Sequence, residues 1–245
     1  MCNLYSNRSS QDEMRNLFRI EPAGDRLGNM AAQPAIFPDA EVAVVRQGRE
    51  GRELVRARWG WSKAKFGWVT NVRNLESWPW KDAIADARHR CLVPATSFAE
   101  YHPSETDEKG RKLATWFRLT ADAAGEGSRK AVDGSRMAGD GSDEDDRPPF
   151  AFAGLVRRWH WERDGLRRKS DQPLADDDVR TLAMAFLTTE ANAVVAPIHP
   201  KAMPVILRPD DYEQWLTGDA ADARALQRPL PDEQLEIAFT GAKAD

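Results

Sequence analysis

Hydrophobic and polar residues alternate along several short stretches of the chain, as they do in strands that bury one face. The clearest stretch is 53–59, where Val55, Ala57 and Trp59 are separated by arginines. Together with the apolar stretch 41–45 it predicts a β-hairpin. Further strands are predicted at 91–99, 113–119, 150–156, 181–189 and 205–207.

Helical spacing is rarer along the chain. In 11–19, Met14, Leu17 and Phe18 fall on one side of a helix, and 80–87 and 212–216 are also predicted to be helical. Residues 21–39 are predicted to be loop, and 60–74 an irregular, aromatic-rich segment. Because strands outnumber helices, we predict an α+β, mainly β fold with a mixed or antiparallel β core and a few peripheral helices.

The composition changes sharply in residues 122–149, which consist largely of Gly, Ser, Asp and Ala. Their only large apolar residues are Val132 and Met137, too few to bury a core. The strand pattern resumes at Phe150. We therefore predict one domain, spanning residues 1–240, with a flexible insertion at 122–149.

Composition excludes several classes of protein. The 245 residues are 41% hydrophobic and 30% charged, and no apolar run is long enough to span a bilayer. With two cysteines and four scattered histidines, we expect neither a disulfide framework nor a bound metal, and no cofactor. The absence of a signal-peptide pattern favours a cytoplasmic protein, and nothing in the sequence demands more than a monomer.

Charge is distributed unevenly along the chain. The net charge is −4, yet residues 42–90 carry eleven basic side chains against five acidic ones. A protein polarised in this way can present a basic face to nucleic acid, although a solvated strand face explains the charges equally well.

Cys2 is the most informative residue. Removal of Met1 would leave a free α-amine and a thiol on adjacent carbons, with ordinary pKa values of about 8 and about 8.5. Such a group can capture an aldehyde through the amine and close with sulfur to a thiazolidine. Alternatively, it can attack an acyl group with its own amine as the base.

Three other positions place polar side chains in apolar or aromatic surroundings. Asn71 and Arg73 have the i, i+2 spacing that points both to one side of an extended segment, which suits a sugar hydroxyl and a phosphate. Glu100 ends an apolar strand, where burial would raise its pKa and suit it to acid–base catalysis. His199 lies in a proline-bounded loop and is a candidate proton shuttle.

These motifs in this order resemble the SOS-response-associated peptidase (SRAP) family, the abasic-site processing proteins. The likeness covers roughly residues 2–220 without the insertion. Many members begin Met-Cys-Gly-Arg, whereas this chain has Asn3 and Leu4. The matching motifs are Met1-Cys2, Arg58-Trp59-Gly60, Asn71-x-Arg73-x-x-Glu76, Phe98-x-Glu100, Thr188 to Asn192 and His199 to Pro204.

The resemblance implies a specific activity, a covalent shield over abasic sites in single-stranded DNA during the DNA damage response. Cys2 would form a Schiff base and then a thiazolidine with the sugar aldehyde, while Asn71 holds Cys2 and the sugar. Glu100 and His199 would transfer protons. Autoproteolytic removal of the residue before Cys2 is also implied. DNA contacts are expected from Arg73, Arg58, Trp61, Phe66 and Trp68.

Two other functions stay open on the sequence. One is a cysteine peptidase with an N-terminal nucleophile, and the other is a single-stranded DNA-binding module without catalysis. The basic aromatic segment disfavours a general peptidase, and Cys2 at the terminus disfavours a simple binding module. For the DNA-bound protein we expect association with the nucleoid.

Overall fold

The computed structural model describes residues 2–63, 67–124, 147–158 and 182–245, with only the backbone of 62–63, 67–68 and 124. The described strands are β1 (Tyr5–Asn7), β2 (Gln33–Ile36), β3 (Glu41–Gln47), β4 (Arg52–Trp59), β5 (Trp61–Lys63), β6 (Gly67–Val69), β7 (Asn71–Val72), β8 (Arg90–Ala95), β9 (Ser97–Thr106), β10 (Lys112–Leu119), β11 (Phe150–Arg158), β12 (Leu182–Thr189), β13 (Met203–Pro204), β14 (Ile206–Leu207) and β15 (Leu235–Gly241).

Short helices lie between the strands. They are α1 (Gln11–Phe18), α2 (Trp80–Ala85), α3 (Tyr212–Thr217) and α4 (Ala220–Ala225), with brief 3-10 turns elsewhere. Ser10 caps α1, because its hydroxyl accepts from the amide of Glu13 while the Glu13 carboxylate accepts from the amide of Ser10. None of the described helices is long and apolar enough to cross a membrane.

Five strands close into a ring. The order is β12–β4–β3–β8–β11, and β11 pairs back with β12, for example Gly154 with Phe186. The β12–β4 pair is parallel and the other pairs of the ring are antiparallel. The mixed β-barrel core with few helices confirms the predicted fold class.

A second sheet packs beside the barrel in the order β15–β10–β9–β1–β2. The short strand β1 is an interior strand, with Tyr5 paired to Phe98 of β9 on one side and to Ile36 of β2 on the other. Residues next to the start of the chain are therefore held between two other strands.

Side chains alternate between two hydrophobic cores. In β3, Val42 and Val44 pack with Tyr5 and Phe98 of the second sheet, whereas Ala43 and Val45 pack in a different cluster. The first cluster is the aromatic one, where Tyr5, Trp59, Phe152 and Phe186 meet with ring centroids about 5–6 Å apart. The second contains the buried residues of the helices.

Most predicted elements are confirmed, three predicted segments differ, and β1, β15 and α4 were not predicted. The predicted strand 91–99 is two strands, broken at Thr96, whose amide and hydroxyl both bind the carbonyl of Ser6 in β1. The predicted loop 21–39 contains β2, and the irregular segment 60–74 contains β5, β6 and β7. These strands are short, so their pairing partners and not their own sequence patterns define them.

Only the two ends of the predicted insertion lie among the described residues, so the insertion itself stays a prediction. Residues 122–124 form a 3-10 turn in which Ala123 is buried, and Arg147 forms an ion pair of 2.8 Å with the buried carboxylate of Asp245. Both ends of the segment therefore contact the rest of the chain. The remaining part of the insertion, 125–146, lies outside the described residues.

Candidate functional site

Cys2 lies against the end of β9. Its side chain is 1% exposed, and its Sγ lies 3.4 Å from the carbonyl oxygen of Leu4 and 3.9 Å from that of Ala99. The amide of Ala99 in turn donates to the carbonyl of Leu4. The pairing of β1 with β9 therefore brings the second residue of the chain next to residues 99 and 100.

Asn71 holds the main chain of Cys2. It is 8% exposed and lies on β7, which pairs in parallel with β12 through Asn71 and Phe186. Its Nδ2 donates to the Cys2 carbonyl at 2.8 Å and to Thr70 Oγ1 at 2.9 Å. Its Oδ1 is buried and has no hydrogen-bond partner among the described residues.

Glu100 supplies a buried carboxyl group to the same place. It lies on β9 opposite Thr115 of β10 and is 4% exposed, and its Oε1 has no hydrogen-bond partner in the described part of the chain. Burial raises the pKa of Glu100 to about 7. Burial, with the charge of Glu100 as a second cause, raises the pKa of the Cys2 thiol well above its ordinary value.

His199 enters the region through a different element. It precedes β13, which pairs with the end of β12 through Thr189 and Met203. Its Nδ1 lies 2.9 Å from the carbonyl of Ala202, so Nδ1 carries the hydrogen and Nε2 is the basic nitrogen. Asn71 is hydrogen-bonded to Cys2. His199 is placed less directly, because it precedes β13, which pairs with the end of β12.

The two arginines that the sequence singled out both have acidic partners. Arg73 Nη2 lies 3.4 Å from Glu190 Oε2, and both side chains are exposed. Gln227 ties the two strand ends together, because its Nε2 donates to the carbonyls of Arg73 and Thr188. Arg58 lies near the end of β4, and its Nε is 3.2 Å from Oδ1 of Asp39.

Trp61 is a core residue in this structure. It is 3% exposed, its ring centroid is 4.6 Å from that of Trp80, and the guanidinium of Arg157 lies 4.8 Å over its ring. This placement argues against Trp61 as a platform for a base, because neighbouring side chains cover the ring. Phe66 and the side chain of Trp68 lie outside the described residues.

A cavity of about 650 Å³ lies beside Trp61, away from the residues around Cys2. It is lined by arginines that have carboxylates at close range. Arg46 pairs with Glu53 at 2.9 Å and Arg88 with Asp86 at 2.7 Å. We place the candidate chemistry at Cys2 because a thiol, Asn71 Oδ1 and Glu100 Oε1 lie there, and neither oxygen has a hydrogen-bond partner among the described residues. The described residues include no group of three or more His, Cys, Asp or Glu side chains that could hold a metal ion.

Comparison with known families agrees with this arrangement. The family model described as SOS response associated peptidase (SRAP) matches residues 1–240. The chain belongs to the SRAP family. The matched region thus covers nearly the whole chain, including the barrel, the second sheet and the residues around Cys2.

Solved structures share the fold of this SRAP protein. A protein from Bordetella bronchiseptica is 21% identical, with a TM-score of 0.64 over 98% of this chain and 99% of that one. A phage-related protein from the same organism is 19% identical, with a TM-score of 0.61 over 96% and 92%. A protein from Bacteroides thetaiotaomicron is 17% identical, with a TM-score of 0.60 over 96% and 90%. No curated protein matched the sequence.

Three neighbours of the SRAP site were missed in the sequence. Thr70 contacts the Asn71 amide, Glu190 contacts Arg73, and Gln227 joins the ends of β7 and β12. Thr70 directly precedes Asn71, and Glu190 lies within the motif Thr188 to Asn192, so both had a usable signal although neither was singled out as a site residue. Gln227 is far from any motif and only the fold reveals it.

Proposed function

We propose that this SRAP protein captures the aldehyde of abasic sites in single-stranded DNA and holds it as a thiazolidine on Cys2. The observation that carries the proposal is the contact of Asn71 with the Cys2 carbonyl beside the buried carboxyl group of Glu100. A peptide nitrogen cannot form an imine, so removal of Met1 is part of the proposal. The peptidase activity in the family's name would correspond to that removal.

The unpartnered acceptors suit the α-amine that this removal would produce. An ammonium group has three N–H donors, and Asn71 Oδ1 and Glu100 Oε1 are buried acceptors on residues that neighbour Cys2. A buried acceptor without a partner is costly, so a donor at this place would stabilise the site. The amine of Cys2 is a suitable donor, because Asn71 already contacts the carbonyl of the same residue.

The capture chemistry then has two steps. The amine adds to the sugar aldehyde and loses one water, forming a Schiff base. The thiol then adds across the C=N bond, and its proton passes to the nitrogen, which closes the five-membered ring. A carboxyl group with a pKa of about 7 can give and take these protons at neutral pH.

The DNA strand would be held mainly through its phosphates. Arg73 is the exposed cation nearest along the chain to Asn71, and His199 would act on the sugar oxygen through Nε2. Arg58, which pairs with Asp39, would contribute to the positive field. Stacking on a base would fall to Phe66 or Trp68, because the ring of Trp61 is covered.

Incubation with an oligonucleotide that carries one abasic site tests the proposal. We expect an adduct that survives heating on a denaturing gel, with a mass equal to the two components minus one water. The Cys2→Ser variant keeps the amine and loses the thiol, so its imine should be seen only after borohydride reduction. A heat-stable, unreduced adduct with Cys2→Ser would exclude the thiazolidine.

The same experiment separates the alternatives. A peptidase without DNA chemistry would form no adduct with either protein. A binding module would shift the oligonucleotide on a native gel and release it on a denaturing gel. In both cases the proposed capture would be wrong.

A further inference from the structure

The orientation of the Asn71 side chain is fixed by two hydrogen bonds. An amide nitrogen has two hydrogens, and the Nδ2 of Asn71 uses one on the Cys2 carbonyl and one on Thr70 Oγ1. The opposite orientation would put Oδ1 against the Cys2 carbonyl oxygen at the same distance, where two acceptors repel. The Oδ1 atom is therefore turned away, into the buried position where it has no described partner.

Thr70 passes this constraint to a third side chain. Because its oxygen accepts from Asn71, its own hydrogen must go elsewhere, and it points to Asn3 Oδ1 at 3.3 Å. The hydrogen bonds thus run in one direction, from Asn71 to Thr70 and from Thr70 to Asn3. Asn3 follows Cys2 directly, so the chain of bonds begins and ends on the segment that carries the nucleophile.

The link to Asn3 is a feature of this chain. The residue after Cys2 is Asn3, whose side chain supplies the acceptor for Thr70. The exposed Asn3 extends the support of Asn71 from the buried site to the surface.

We propose that Thr70, supported by Asn3, is a positioning residue for the capture reaction. It holds the Asn71 amide in the plane that presents Oδ1 to the Cys2 amine. The inference rests on the proposed function, because it concerns the rate of the same covalent step. Thr70 itself need not contact the DNA or the reacting atoms.

The test compares T70V and T70S in the full-length protein. Valine has nearly the same shape as threonine and no hydroxyl, while serine keeps the hydroxyl. The maximal rate of adduct formation is measured at saturating abasic oligonucleotide, together with the concentration that gives half that rate. We expect T70V to lower the maximal rate about 3- to 10-fold, the range of one lost hydrogen bond, with the half-saturating concentration unchanged. T70S should restore the rate.

Substitution of Asn3 gives a second test, in which a smaller change of rate is expected. N3A should lower the maximal rate about 2-fold, because water can replace part of the lost acceptor. The double variant N3A/T70V should be no slower than T70V, since both changes break one series of hydrogen bonds. Thermal unfolding of each variant, measured in parallel, detects a general loss of structure.

Two outcomes would overturn the inference while the proposed function stands. The first is a wild-type adduct with an unchanged maximal rate in T70V. The second is a T70S protein as slow as T70V, which would show that the hydroxyl is irrelevant. If the wild-type protein forms no adduct, the proposed function itself fails.

Discussion

Cys2 and Cys91 are both buried in the same hydrophobic cluster, and burial raises the pKa of each thiol, yet their polar neighbours differ. Cys91 lies in the barrel on β8, opposite Gly154, where Val93 is a near neighbour. Cys2 lies next to a carboxyl group and an amide, each with one buried oxygen atom that has no hydrogen-bond partner in the part of the chain that the structure describes.

The comparison shows that burial alone does not distinguish a reactive cysteine from a structural one. A thiol in apolar surroundings is a small hydrophobic group and stays protonated. Reaction requires groups nearby that can move a proton and hold a second reactant. Asn71 and Glu100 would be such groups under the proposed function, so substitutions at the two cysteines should affect different properties of the protein.

The largest expected effect is on covalent capture. Cys2→Ala should give no heat-stable adduct with the abasic oligonucleotide, because both the thiol and ring closure are lost, while Cys91→Ala should form it at close to the wild-type rate. Denaturing gels over a time course measure both variants. A heat-stable adduct with Cys2→Ala would contradict the assignment of capture to Cys2. Loss of the adduct in a well-folded Cys91→Ala protein would contradict a purely structural role for Cys91.

Glu100→Gln should slow capture about 10²-fold, since general acid–base groups typically contribute that much or more. The rate should also lose its dependence on an ionisation near pH 7, the pKa of Glu100. The matched control is Glu105→Gln, on the exposed end of the same strand, which should leave the rate unchanged. A normal pH profile in Glu100→Gln would assign the proton transfer to another group.

The same carboxyl group should make folding depend on pH. Its pKa is raised from 4.5 to about 7 in the folded protein, so folding favours the protonated form. This contribution is complete below pH 4.5 and is lost as the pH rises through 7, a change on the order of 1–3 kcal/mol in the free energy of unfolding. Urea unfolding measures this change. Between pH 5 and pH 8, the free energy of unfolding should fall less for Glu100→Gln than for the wild type.

Substitutions next to Cys91 should change the stability of the fold and leave covalent capture unchanged. A Cβ at Gly154 would lie 2.7 Å from Cys91 Sγ and 2.8 Å from Val93 Cγ2. Gly154→Ala should therefore destabilise the fold by about 1–3 kcal/mol, as overpacking does. Adding Cys91→Ala should recover part of the loss, which urea unfolding measures. An equal loss in the double variant would contradict the contact with sulfur.

The smallest expected effect concerns DNA binding beside Cys2. Glu190 occupies the guanidinium of Arg73, so a phosphate would have to displace it. Glu190→Gln should tighten binding of undamaged single-stranded DNA about 2- to 5-fold at low salt, since an exposed ion pair is worth up to about 1 kcal/mol. The difference should shrink as salt is added, because salt screens these charges. Glu236→Gln, paired with Arg118 on the outer edge of the second sheet, is the control.

Much of the fold follows from the sequence, because the barrel strands have strong patterns of their own. Alternation along 53–59 is enough to predict β4 and its hairpin partner. The break at Thr96 could not be predicted, because it depends on the Ser6 carbonyl of a three-residue strand. For the same reason β2, whose burial pattern has one fully buried residue, Ile36, was not predicted.

The candidate site was predictable where residue type alone suggests chemistry. Cys2, Asn71 and Glu100 are polar groups at unusual positions, and the structure brings them together. The burial of Trp61 could not be predicted, because an aromatic residue in a basic segment looks the same in sequence whether it stacks on a base or packs on Trp80. The role of Thr70 depends on which way an amide is turned, and no pattern in the sequence contains that information.

The interior position of β1 also bears on selectivity. An aminothiol condenses with any soluble carbonyl metabolite when it is freely accessible. Pairing of β1 with β9, whose partners are more than ninety residues away along the chain, withdraws Cys2 from bulk solvent as the molecule folds. Under the proposed function, burial of Cys2 in the folded protein would reduce its reaction with small soluble aldehydes.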